Sequence, residues 1–153
     1  MGAQLLQDIY LFKEFLPKEL EQLSAKGVVR TYNRDDVIFS EGDKAQSLFV
    51  IRHGTVDIRH SGKNSDVDLV QLGTGAHLGE MPFVNDEPRS ASAVALERSE
   101  LLEITYTAMQ EHLDKNPSTA VKFYRALAHF LAGRLRATTL DLSFSRGKNL
   151  RHF

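Results

Sequence analysis

The chain has 153 residues, 42% hydrophobic and 25% charged, which is apolar material enough for one sizeable core and the ordinary size of a single globular domain. Lys and Arg total 19 against 20 Asp and Glu, and a net charge of −1 leaves no broad basic face for a nucleic-acid partner. The absence of cysteine excludes disulfides, thiolate metal sites and cysteine nucleophiles, while no apolar run approaches the roughly 20 residues of a membrane span and "MGAQLLQDIYLFKEF" lacks the pattern of a secretory signal, so a soluble cytoplasmic protein with no membrane partner is expected.

In chain order, Leu5, Ile9 and Phe12, then Leu16, Leu20 and Leu23, recur at spacings of three and four, the helical period. Pro17 suits the first turn of a new helix and Gly27 a stop, which predicts two short helices within residues 1–27. From Val28 the pattern becomes short β-rich runs, "VVRTY", "DVIF", "SLFVIR", "GTVDIRH", "VDLVQL", "SAVAL" and "ELLEI". Between them stand "NRD", "EGDKAQ", "HG", "SGKNSD" and "GTGAHLGE", which are chemically suited to turns. Seven or eight strands over residues 28–106 predict an α+β molecule built on an antiparallel β-roll, a jelly-roll-like barrel.

Helical periodicity returns over residues 107–143, with a tail at 144–153. Asn116 and Pro117 offer an N-cap and a first-turn proline for a long helix reaching about Leu142. That helix carries two apolar stripes: Val121, Tyr124, Ala128, Leu131, Leu135, Thr138 and Leu142 on one, Phe123, Leu127 and Phe130 on the other. One stripe suffices to pack on the roll. The second calls for a further surface, a second copy of the same helix in a homodimer, unless both merge into one wide core-facing stripe.

Between two apolar runs lies "LGEMPFVNDEPRSASA". Glu80 can accept a charge-assisted hydrogen bond from a hydroxyl, and Arg89, nine positions on, can meet two oxygens of an anion with its planar fork. Gly79 lets the backbone approach a ligand with no Cβ in the way, and residues 81–84, beginning at Met81, can form a short helical turn whose free N–H groups face the anion. A ligand offering a hydroxyl beside a negative charge fits this set.

The surrounding sequence resembles the cyclic nucleotide-binding domain family, the module of catabolite activator proteins and protein kinase A regulatory subunits. The resemblance runs from "LFKEFLPKELEQLS" through "VIFSEGDKAQSLFVIRHGTVDI" to "LVQLGTGAHLGEMPFVNDEPRSASAVALERSELLEI", with glycines at 42, 54, 73, 75 and 79 at the family's turns and "GE" separated by eight residues from "RS" as its phosphate-binding cassette. It implies that Glu80 binds the ribose 2′-hydroxyl and Arg89 the cyclic phosphate, with Gly79, Met81 and Ser90 adding backbone or hydroxyl contacts. In catabolite activator members a threonine-serine pair on the long C-terminal helix touches the base; "GRLRATT" matches that stretch and implies the same for Thr138 and Thr139. The match to "RS" and "TT" favours cyclic AMP, while Ser90 could also serve the amino group of cyclic GMP.

The cassette departs from the family at Pro82, where alanine, serine or glycine is usual and its N–H donates to the phosphate in several members; proline has no N–H. Ala76 and His77 replace an acidic and an aromatic residue. The implied function is a regulatory sensor that signals through its C-terminal helix to a downstream protein, with no enzymatic activity, cofactor or metal. The alternatives are a degenerate cyclic nucleotide-binding fold serving as an interaction module, or a cupin-like metal enzyme. The latter needs clustered histidines and a carboxylate, yet His53, His60 and His77, the histidines of the strand region, read as surface or turn side chains. About ten residues follow Leu142, too few for a helix-turn-helix, so the sequence as it stands is not expected to read DNA in that way.

Overall fold

The computed structural model describes residues 6–61 and 66–148. Leu5 of the first expected helix, residues 62–65 of the "SGKNSD" turn, and residues 149–153 lie outside the described residues. Leu6 and Gln7, the first described residues, are α-helical; a 3-10 turn, Tyr10–Phe12, follows, and then α1, Pro17–Ser24, opened by Pro17 and by the Glu19 carboxylate accepting from the N–H of Leu16 at 2.7 Å.

Eight strands follow: β1 Val28–Tyr32, β2 Val37–Phe39, β3 Ser47–His53, β4 Val56–Ser61, β5 Asp66–Leu72, β6 His77–Leu78, β7 Ser92–Ala95 and β8 Ser99–Thr105. They form two antiparallel sheets, in the orders β1-β8-β3-β6 and β2-β7-β4-β5, facing each other as an open roll. β6 falls inside "GTGAHLGE", which the sequence marks as a turn; two residues pairing with Phe49 and Val50 are too few to produce a period. The same pairing puts the His77 side chain inside the molecule, so the expectation of a surface or turn histidine is corrected here.

The first sheet is covered on both faces. Phe49, Ile51 and Leu101 point toward the second sheet and pack with Val56, Leu78 and Ala93, whereas Leu48, Val50, Leu102 and Ile104 point outward onto a helical layer with Phe12, Leu23, Met109 and Phe123. That double coverage is why β3 reads as an uninterrupted apolar run, "LFVI".

Three more helices complete the chain: α2 Met81–Asn85, α3 Tyr106–Lys115 and α4 Pro117–Lys148. α2 ends where Asp86 takes a left-handed conformation, φ 56°. Thr105 caps α3 by accepting from the N–H of Ala108 at 3.1 Å. α4 begins at Pro117 as expected, but the Asn116 side chain turns back to donate to the carbonyl of His112 at 2.8 Å, closing α3 rather than opening α4. α4 also continues to Lys148, so residues 144–148 of the expected tail are helical. Of its two stripes, Phe123 and Leu127 are buried in the helical layer, with Phe130 packed against it. Val121, Tyr124 and Leu135 of the other stripe are exposed, so the two do not merge into one core-facing band.

Candidate functional site

A cavity of about 400 Å³ opens between the inner face of the second sheet, the segment from His77 to Pro82, Arg89 with Ser90, and the flank of α4. That volume is in the range of small-ligand pockets. Its apolar wall comes from Phe39, Ile58 and Leu72; its charged groups are Glu80, Arg89 and Arg134.

Arg89 is 6% exposed. Its main chain is pinned to the β2–β3 turn by its N–H donating to the Asp43 carbonyl at 2.9 Å and its carbonyl accepting from Gly42 at 2.8 Å. The guanidinium donates through Nη2 to the carbonyl of Ser47 at 2.7 Å, and through Nη1 to the carbonyl of Gly79 at 3.3 Å and the Tyr106 hydroxyl at 3.4 Å, with the Phe39 ring 4.0 Å below it. All these acceptors are neutral, and Nε is buried with no hydrogen-bond partner among the described residues. Burial lowers the Arg89 pKa from its usual value, partly opposed by Tyr106; burial likewise raises that of Tyr106. A buried guanidinium that meets only neutral oxygens has no ion-pair partner in contact, and the carboxylates of Glu103 and Asp43 act on it only from a distance.

Gly79 is required twice over. Its φ is +81°, and a Cβ there would stand 2.5 Å from Nη1 of Arg89 and 3.2 Å from the Ser47 carbonyl oxygen. The Tyr106 hydroxyl also donates to the Gly79 carbonyl. Glu80, buried, follows as the residue before α2, and its Oε2 lies 3.3 Å from Nδ1 of His77.

Pro82 occupies the second position of α2, where a helix N–H has no internal partner to lose. Phe83 already donates to the Glu80 carbonyl at 3.1 Å, so of the three residues opening the turn only Met81 is left to offer an N–H. The expected set of several free donors shrinks to that one.

The structure therefore brings Gly79, Glu80, Met81, Arg89 and Ser90 to one cavity. It does not bring Thr138 and Thr139 there. Both are exposed on α4, and the helix residues on the cavity wall are Phe130 and Arg134. Arg134 lies 3.8 Å from Sδ of Met81 and 5.8 Å from the Phe130 ring centroid. Sequence reasoning missed His77, Tyr106 and Arg134. The spacing of four from Phe130 to Arg134 to Thr138 was the available signal for a pocket-facing line on α4. Among the described residues no three His, Asp or Glu side chains gather as a metal site, and no helix is long and apolar enough to cross a membrane.

The family model described as "Cyclic nucleotide-binding domain" matches residues 29–116. A cyclic AMP receptor protein of Thermus thermophilus is 33% identical over 144 residues, covering 91% of this chain and 64% of its own length. A cAMP-dependent protein kinase type II regulatory subunit of Drosophila melanogaster is 32% identical over 95 residues, covering 62% of this chain and 25% of its own. The chain thus spans between a quarter and about two thirds of these relatives. The crystal structure of the Thermus thermophilus catabolite activator protein superposes with a TM-score of 0.79 at 32% identity, over 88% of this chain and 62% of that one.

Proposed function

We propose, from the premise that the chain belongs to the cyclic nucleotide-binding domain family, that it is a sensor whose cavity takes a cyclic nucleotide, cyclic AMP in preference to cyclic GMP. The observation that supports this most is the buried Arg89, without an anionic partner among the described residues, on the same cavity as the buried carboxylate of Glu80. In this reading the cyclic phosphate supplies a counter-charge in contact and engages the free Nε edge of Arg89, while the ribose 2′-hydroxyl donates to Glu80. The N–H of Met81 and the hydroxyl of Ser90 complete the polar contacts. The base extends toward α4, where Phe130 and Arg134 stand on the wall and Thr138 and Thr139 follow about one turn beyond.

Signalling then consists of a population shift. The ligand favours whichever placement of α4 binds it better, by no more than its differential affinity for the two placements. α4 would pass that shift to a second copy of the chain and to a downstream protein. Pro82 removes one donor of a kind worth roughly 1.5–3 kcal/mol when its acceptor is charged. Affinity is accordingly about tenfold to a hundredfold below that of a cassette with the N–H in place. Pro82 also favours the second reading, a fold that has lost its ligand and serves as an interaction surface.

Titration calorimetry with cyclic AMP and cyclic GMP separates the two. Arg89→Lys keeps the charge and loses the fork, and is expected to weaken binding about tenfold or more. Absence of heat with either nucleotide in the unmodified chain overturns the sensor reading. Lysine is preferred to alanine because Arg89 donates to Ser47 and Gly79, and truncation would leave buried carbonyls unsatisfied.

A further inference from the structure

Removing water from a carboxylate requires protein donors in its place, or the buried charge is strongly unfavourable. Among the described residues the Glu80 side chain has one polar neighbour at ion-pair distance, Nδ1 of His77, 3.3 Å from Oε2, with both side chains 6% exposed. That Nδ1 is buried and makes no hydrogen bond among the described residues, so the carboxylate beside it is the acceptor within its reach. His77 is also held on two other sides. Its backbone pairs with Val50 in β3, and its ring meets Phe130 of α4 at 4.7 Å with the planes at 62°. Pairing and packing thus seat the imidazole nitrogen beside one oxygen of Glu80, close enough for a small turn of either side chain to make the bond.

We propose that His77 is the positioning residue for Glu80: its Nδ1 fixes one carboxylate oxygen so that the other is presented to the sugar hydroxyl. The proposal rests on the reading of Glu80 as the ribose contact. A carboxylate gripped by one oxygen loses its last free rotation before the ligand arrives, so the ordering cost is removed from the binding step. The family's frequent aromatic residue at this position would keep the packing on Phe130 and lack the nitrogen, which makes His77→Phe the natural probe.

The test is calorimetry on the full chain with cyclic AMP and with its 2′-deoxy analogue, comparing the unmodified chain with His77→Phe, His77→Asn, His77→Gln and Glu80→Gln. The unmodified chain should prefer the ribonucleotide. His77→Phe should cut that preference about threefold to tenfold, the size of one hydrogen bond. His77→Asn, whose amide nitrogen can occupy the place of Nδ1, should restore most of it. His77→Gln, which carries its amide out toward the place of Nε2, should not, and it provides the same comparison if the phenylalanine variant fails to fold. Full preference in both His77→Phe and His77→Gln overturns the proposal, and if Glu80→Gln still abolishes the preference, the ribose reading stands without it. An unmodified chain that binds neither nucleotide, or both alike, overturns the ribose reading and the proposal together.

Discussion

Gly79 shows how tightly the cavity constrains single residues. Alanine there would meet Nη1 of Arg89 at 2.5 Å and would have to hold a backbone φ of +81°. The left-handed conformation costs a non-glycine residue roughly 1–2 kcal/mol. The clash adds to this by displacing the fork from the carbonyls of Ser47 and Gly79. Gly79→Ala is therefore expected to lower the melting temperature by about 2–8 °C and to weaken cyclic nucleotide binding about tenfold, read by calorimetry and thermal unfolding. A variant with unaltered affinity would show that Arg89 does not meet the ligand from its present seat. Glu80 and Arg89 were legible in the sequence because a glycine-glutamate pair and an arginine share one short segment. His77, Tyr106 and Arg134 were not, because each reaches the cavity through pairing or packing with residues distant in the chain: His77 through β3, Tyr106 through its bond to Gly79, Arg134 beside Met81.

Among the elements, α1 and α4 are tied by one carboxylate. Glu19 accepts from the N–H of Leu16, from Nζ of Lys122 at 2.6 Å and from the Thr119 hydroxyl. Burial alone would raise its pKa, but these bonds and the Lys122 charge outweigh it and bring the value from 4.5 down to about 2. The unfolded carboxyl binds its proton first as pH falls, so the contribution of this clasp is complete above about pH 5 and is lost on descending toward pH 2. Glu19→Gln should cost about 1–2 kcal/mol at neutral pH and flatten the acid limb of the stability curve between those limits, measured by denaturant unfolding across pH. An acid limb identical to that of the unmodified chain would remove the clasp from the account. The helix ends carry a related lesson about legibility. Pro17 and Pro117 marked two starts correctly because proline acts locally, through its own φ and missing N–H. The end of α4 was misplaced because Ser143, Ser145 and Gly147 lower helix propensity without stopping a helix.

For the whole molecule, the two cores share the first sheet, and the cassette touches both. Phe83 of α2 packs against Tyr106 at 5.4 Å and against Phe123 of α4 at 5.9 Å between ring centroids, so in the proposed sensor a movement of the cassette would reach the long helix through the Phe83–Phe123 contact. What α4 does with that movement depends on its outer stripe. The sequence showed two stripes but not which one faces the roll, because both have helical spacing and only the fold decides. Val121, Tyr124 and Leu135 remain uncovered, with Leu135 68% exposed, while Leu131 packs at the edge of the helical layer. A line of apolar side chains along one exposed helix face is suited to a second copy of that helix, each burying its stripe on the other. Leu131→Glu would perturb the monomer as well as any interface. Leu135→Glu places a charge in the stripe without entering the core, and should convert a dimer to monomers in sedimentation velocity with little change in melting temperature at low concentration. A chain that sediments as a monomer before substitution, or a Leu135→Glu variant that still sediments as a dimer, would take α4 out of the interface and leave its stripe to a downstream partner.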